Sequence, residues 1–294
     1  MSSPPAKVTI IMIVHNGSLL IEESIRSVLD QDFDDYELLV VDDGSTDDTV
    51  GIVESMIREH PNHIRCMSHP DGRNHGMSAT RKLGVESCSS PLIIFLDHDD
   101  LMTPSALTQM VQRLDDHPEA MATFGPNQRF WTDDQGKKGT QEAQGQFMGL
   151  DLDRIAAPPG ITALFLSNSS SVPISPMMRR SAYLDVGGYE QAFKGMYEDQ
   201  VFLAKLFLEK SVYIDARTWI RYRQHDGSCV AGSFKRSNNA YYRHRFLKWL
   251  RNHLSSHDIR NAQLSSILES QLLLNRSLRR RERWQRVLKL WQSS

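Results

Sequence analysis

Five consecutive apolar residues, Leu92 to Leu96, run directly into Asp97, His98, Asp99 and Asp100. No other join in the chain constrains its folding so tightly. An apolar run this short, following Pro91 and closed by acids, has the form of a strand buried on both faces. Three carboxylates at its carboxyl end repel one another unless something cationic sits between them. In an open parallel sheet that end is also where ligands bind. Asp97 and Asp99 are alternate residues, so they are expected to face different sides of the strand end, one holding a metal and the other part of its ligand. Hard Mg2+ or Mn2+ suits carboxylate oxygen. A helix is then expected, with Thr103 as its N-cap and Pro104 at its first position. The competing reading is structural: the acids shape a turn and cap that helix.

The chain on either side supplies the rest of a sheet. Lys7 to Val14 is a continuous β-branched run, broken into a loop by His15, Asn16 and Gly17. Leu20 to Leu29 has helical spacing. Tyr36 to Val41 predicts a second buried strand closed by Asp42, Asp43 and Gly44, with Ser45 or Thr46 capping the next helix. Ile64 to Ser68 predicts a third strand, and Gly76 to Val85 another helix. Alternating strands and helices imply a doubly wound α/β sheet. Two acid pairs, Asp42–Asp43 and Asp97–Asp99, are then expected on one rim. The first can accept a hydrogen bond from an imide or a ribose hydroxyl, and the second can hold a metal. Such a rim describes a nucleotide-diphosphate site. Neither G-x-G-x-x-G nor G-x-x-x-x-G-K-[ST] occurs, so a nucleotide binds by another mode.

Charge is distributed unevenly along the chain. The net charge is −2, yet residues 1–100 carry seven basic against 18 acidic residues, and residues 217–294 carry 17 basic against four acidic. The acidic front suits a cation, and the basic tail suits an anionic partner. Cys66, Cys88 and Cys229 form no zinc or disulfide pattern, which points to a reducing cytoplasm. The N-terminus lacks a signal-peptide layout, and no apolar stretch approaches the ~18 residues of a membrane span.

Several ordered blocks resemble the family 2 glycosyltransferases of the GT-A fold. They are Val14-His15-Asn16, Val40 to Asp47 (VVDDGSTD), Gly76 to Arg81 (GMSATR), Phe95 to Asp100 (FLDHDD), Gly187-Gly188-Tyr189, Tyr197-Glu198-Asp199 and Tyr222-Arg223-Gln224-His225. The family usually has Tyr or Phe where His15 stands, so less surface is available to stack on a base. The resemblance implies a mostly parallel, doubly wound α/β sheet flanked by helices over residues 1–233, with a donor half to about 124 and an acceptor half from about 125. A helical, basic extension over 234–294 completes the chain.

The same resemblance implies site roles. Val14, His15, Asn16, Asp43, Gly76, Arg81 and Asp97 would bind the nucleotide, with Asp43 reading uracil and Asp97 the ribose. Asp99 would coordinate a divalent cation, Mn2+ or Mg2+, with His225 as a further ligand; a lone histidine is more often structural, so both readings of His225 stand. Asp199 would be the general base of an inverting transfer, beside Glu198. Gly187 and Gly188 would border the sugar or the acceptor. Apart from the resemblance, Asn168 either reaches an acceptor hydroxyl or, as such residues more often do, shapes a turn. The expected donor is a UDP-sugar and the expected acceptor a glycan or lipid-linked hydroxyl, with no nucleic acid involved.

Residues 102–114 predict a helix and 120–124 a strand, while the polar segment 131–147 reads as a mobile loop. Near the C-terminus, Leu264, Ile267, Leu268 and Leu272 make one apolar stripe, and Trp284, Val287, Leu288 and Trp291 another amid arginines. The second reads either as a membrane-surface element on the inner face or as a packed helix, on the domain or on a second subunit of a homodimer. Arg280 to Trp284 has the spacing of the Q-x-x-R-W box of processive synthases, but Arg280 replaces Gln, so a non-processive enzyme is expected. Two alternatives are a sugar-1-phosphate nucleotidyltransferase and a non-catalytic sugar-nucleotide-binding relative. The first would need a glycine-rich loop with Arg or Lys after strand one, which Gly17 to Leu20 do not provide.

Overall fold

The computed structural model describes residues 4–133, 138–144, 151–167, 173–225, 228 and 239–292. Its main sheet has eight strands in the order β3-β2-β1-β4-β10-β6-β11-β9. The first four are β1 (Val8–Val14), β2 (Tyr36–Asp42), β3 (Ile64–Ser68) and β4 (Leu92–Asp97), all parallel. β6 (Ala122–Phe124) and β11 (Val212–Ile214) are parallel to each other, whereas β9 (Arg154–Ala156) and β10 (Met177–Arg179) run antiparallel to their neighbours. The strand order reverses between β1 and β4, so the loops leaving β1, β2 and β4 open a crevice at a topological switch point.

The apolar runs are continuous because both faces of these strands are covered. Along β1, Ile11 and Ile13 enter one core, while Val8, Ile10, Met12 and Val14 enter the other. α1 (Ile21–Leu29), α2 (Thr49–Glu59) and α4 (Ala106–Asp116) cover the second face. On the first lie α3 (Met77–Glu86), α5 (Gly160–Ser167), α6 (Arg180–Asp185) and α7 (Glu198–Glu209). The C-terminal helices α8 (Asn239–Ser256) and α9 (Ala262–Gln292) close that same core: Phe246, Leu247, Leu250, Leu254, Leu264, Leu268 and Leu272 are buried in it.

A second, four-stranded sheet is ordered β5-β12-β7-β8. It corrects two expectations. Leu101–Met102 forms β5, paired with β12 (Ile220–Gln224), and the following helix begins only at Ala106. Thr103 does not cap it, because its amide donates to the Trp219 carbonyl (2.9 Å) and its hydroxyl to that of Thr218 (3.1 Å); Ser105, at φ 62°, occupies the cap position. Within the segment read as a mobile loop, Lys138–Gln144 forms β8, antiparallel to β7 (Asn127–Thr132). Backbone pairing makes this strand at the margin of the sheet, and its sequence, KGTQEAQ, has no apolar alternation to betray it. A third correction concerns the β2–α2 loop. Asp48 stands at the N-cap of α2, while the Ser45 hydroxyl accepts from the Asn16 amide at 2.9 Å.

Because α8 is buried in the first core, truncating one of its inward side chains destabilises the main sheet as well. Leu250→Ala is expected to lower stability by about 2–5 kcal/mol, read as one cooperative transition of the whole chain in chemical denaturation. A separate low-stability transition would show that the helices fold on their own.

Candidate active site

The crevice is built from loop to loop. The Val14 carbonyl accepts the Asp43 amide (2.8 Å), and Asn16, in left-handed backbone at φ 55°, accepts the Thr46 amide through Oδ1 (2.7 Å). Gly17 follows because nothing larger fits: a Cβ there would lie 2.4 Å from the His98 ring. His15 is exposed at the lip of the crevice. Asp42 turns inward to hold the Gly44 and Ser45 amides. Asp43 is buried and spans to the start of α3, where its two oxygens accept the amides of His75 (2.7 Å) and Gly76 (2.9 Å). His69 Nε2 approaches it at 3.6 Å, and the His69 and His75 rings stack at 4.2 Å. Sequence reasoning did not single out these two histidines, because they sit in a polar loop outside the family blocks.

At the end of β4, carboxylate oxygens of Asp97, Asp99 and Asp100 lie within 4.8 Å of one another. At an effective dielectric of about 20, each charged pair at that distance costs roughly 3 kcal/mol, so the group must share protons or a cation. Burial, and then the charges of Asp99 and Asp97, push the Asp100 carboxyl well above the usual carboxylate range. Burial acts the same way on Asp99, but the His225 hydrogen bond and the positive potential of His98 and His225 outweigh it and bring that group down. His225 Nε2 lies 3.0 Å from Asp99 Oδ2. β12 delivers this histidine, and its buried Arg223 fastens the two segments. Arg223 donates through Nε to the Asp99 carbonyl (2.7 Å) and through its amide to Asp100 Oδ1 (3.0 Å). Asp100 Oδ2 is buried without a hydrogen-bond partner among the described residues. Several hard oxygens, one imidazole and an unsatisfied carboxylate oxygen make a donor set that fits Mn2+ or Mg2+.

Arg81 joins this corner to α7. Its guanidinium is buried, donates to Asp97 Oδ1 at 2.7 Å, approaches Glu198 Oε1 at 3.8 Å and lies 5.1 Å above the Tyr189 ring. Tyr189 is set by the two glycines before it. Gly187 and Gly188 take φ of 75° and 59° as they close α6, and a Cβ on Gly188 would strike the Tyr183 ring at 2.6 Å. Glu198 and Asp199 open α7 after Tyr197, which holds φ 68°. An aromatic residue in that region costs on the order of 1–3 kcal/mol and is kept only where its surroundings demand it; here it starts the helix so that two carboxylates meet Arg81. Arg81 Nε and Nη1 and Glu198 Oε2 are buried without hydrogen-bond partners among the described residues, which leaves donors and an acceptor for a ligand. Burial, then the Asp199 charge, raises Glu198 to about 7, and burial with Asp97 raises Asp199 against the pull of Arg81 and the Gln200 amide. Asn168 lies outside the described residues.

Comparison with known proteins identifies the family and the fold. The chain belongs to glycosyl transferase family 2, whose model matches residues 9–185. That membership makes it a glycosyltransferase by family. A Campylobacter jejuni GalNAc(5)-diNAcBac-PP-undecaprenol beta-1,3-glucosyltransferase is 30% identical over 36% of this chain and 34% of its own length, so the chain matches only about a third of that relative. Among solved structures, S. aureus TarS 1–349 in complex with UDP-GlcNAc superposes with a TM-score of 0.66 at 18% identity, covering 92% of this chain and 72% of that one. A mannosyltransferase from Pyrobaculum calidifontis, in complex with GDP-Man and Mn2+, gives 0.60 at 16% identity, covering 92% and 70%. Both share the GT-A fold.

The raised Glu198 has a signed consequence for stability. Its folded pKa of about 7 exceeds the ordinary 4.5, so its contribution is fully present below pH ~4.5 and is lost as pH rises through ~7. Without metal or nucleotide, the wild type should lose on the order of 1–3 kcal/mol across that window relative to Glu198→Gln. Parallel stability-versus-pH curves for the two proteins would remove the assignment.

Proposed function

We propose that this protein transfers one sugar from a nucleotide-diphosphate sugar, a UDP-sugar in our reading, to a hydroxyl of a glycan or lipid-linked acceptor, with inversion. One observation carries the proposal: Arg81 lies between Asp97 at 2.7 Å and Glu198 at 3.8 Å, so the acidic end of β4 and the carboxylates opening α7 face a common space. The donor's diphosphate would lie against the first and the acceptor against the second. Residues to about 124 then form the donor half, and those from about 125 to 233 the acceptor half.

In this reading Asp43, with Val14, His15, Asn16 and Gly76 around it, takes the base, and Asp97 takes the ribose. The remaining lone pairs of Asp43 serve the base, since its two amide bonds leave each oxygen one acceptor site. Asp99 and His225 would hold Mn2+ or Mg2+, which when bound supplies positive charge to the departing diphosphate. Asp199 accepts the proton of the acceptor hydroxyl as its oxygen bonds the anomeric carbon; the bond from that carbon to the β-phosphate oxygen breaks and the nucleoside diphosphate leaves. The raised pKa of Asp199 makes it a stronger base than an exposed aspartate, which suits this role. Glu198, Gly187 and Gly188 line the acceptor side. The TarS complexes with UDP and UDP-GlcNAc support the choice of donor, and the undecaprenol-linked name of the C. jejuni relative supports a lipid-linked acceptor.

Calorimetric titration of UDP, GDP and dTDP, with and without Mn2+, tests the donor site. UDP is expected to bind with metal and to weaken at least about tenfold in Asp99→Ala. Asp199→Asn should retain that binding and lose roughly 10²–10⁴ in turnover with the matching UDP-sugar. A folded sample that binds no nucleotide under either condition would overturn the proposal; tighter binding of GDP would reassign the donor.

A further inference from the structure

Helix α9 changes its apolar side halfway along. In its first half, Leu264, Leu268 and Leu272 are buried against the domain, and Asn275 continues that line. At 100° per residue, the sequence puts Arg279, Arg283 and Arg286 on the same line, so the line turns from apolar to cationic. A new apolar line starts elsewhere. Leu273 is 63% exposed, and Trp284 and Trp291, eleven and eighteen residues on, fall within ~20° of its direction on the helix. Leu273 stands about 100° away from Leu272, and Leu274 (56%) and Leu278 (40%) are also exposed.

The distal half is therefore not a continuation of the core stripe, and the domain supplies no cover for Leu273. Its occupant is constrained by charge. Residues 273–292 contain six arginines and one lysine against a single glutamate, Glu282. Two copies of such a helix packed together would bring like charges into register, whereas an anionic surface neutralises them. Arginines alongside tryptophans and leucines match a helix lying in a lipid interface, the rings at headgroup depth and the cations on lipid phosphates. No helix among the described residues is long and apolar enough to cross a membrane, so the contact is a surface one.

We infer that the second half of α9 docks on an anionic membrane surface through the sequence line Leu273–Trp284–Trp291 and its flanking arginines, a line whose first member, Leu273, is exposed. The inference does not depend on the transferase reading, and its test has no catalytic readout.

The full chain is sedimented with vesicles of phosphatidylcholine alone or with about one third phosphatidylglycerol. Binding is expected to the anionic vesicles only and to fall steeply as salt shortens the screening length from ~10 Å at 0.1 M to ~3 Å at 1 M. Each arginine removed should weaken partition about fivefold. The variant Arg280→Gln/Arg281→Gln should therefore lose about twenty-five-fold. Trp284→Ser/Trp291→Ser should lose at least roughly tenfold, because the apolar insertion is gone. Both variants are expected to keep the wild-type thermal transition and nucleotide titration, since neither touches the buried line of α9. No binding to anionic vesicles, or equal binding by wild type and variants, overturns the inference. A dimer seen by light scattering and abolished in Trp284→Ser/Trp291→Ser, with no vesicle binding, would assign the face to a second copy instead.

Discussion

Like charges crowded at the end of one strand are the constraint around which this molecule is arranged. Asp97, Asp99 and Asp100 follow a β4 strand whose residues Leu92 to Leu96 are buried, so solvent cannot fully screen them. Two buried arginines from distant parts of the chain answer that repulsion. Arg81 comes up from α3 to Asp97, and Arg223 comes from β12 to the Asp99 carbonyl and the Asp100 carboxylate. Each arginine then organises a further element. Arg81 carries the Tyr189 ring and the α7 carboxylates with it. Arg223 fixes the strand from which His225 reaches Asp99.

The scaffold explains why these groups can be held so closely. β1, β2 and β4 are covered on both faces, and the two cores meet through them. A strand buried this way has little freedom to shift, so the loops at its carboxyl end inherit a rigid base. α8 and the first half of α9 complete one of those cores, which ties the C-terminal helices to the stability of the catalytic sheet.

How much of this can be read from the chain depends on the range of the interaction. Val8–Val14, Tyr36–Asp42 and Leu92–Asp97 are legible because double burial demands unbroken apolar runs. Asp43, Asp97 and Asp99 stand out because they close or follow such runs, whereas Asp199 is marked only by the resemblance of its block. Thr103 misleads: it has the chemistry of a helix cap, but its hydroxyl is engaged by the segment leading into β12, more than a hundred residues later. Lys138–Gln144 is equally silent, since a polar strand paired through its backbone has no period to detect. Arg223 stands in the Tyr222–His225 block, but nothing local announces that it is buried beneath an acidic cluster.

Sequence alone determined the parallel β1–β4 core, the acidic rim at its carboxyl end and the opposite charges of the two ends of the chain. Those properties are local: they follow from which residues are apolar, which are charged and at what spacing. Tertiary structure decided which carboxylates share a space, which of them are pushed towards protonation and which histidine reaches Asp99. It also decided that α9 buries Leu264, Leu268 and Leu272 while leaving Leu273 open. Electrostatic coupling and burial depend on distances between residues far apart in the chain, and only the closed fold sets those distances.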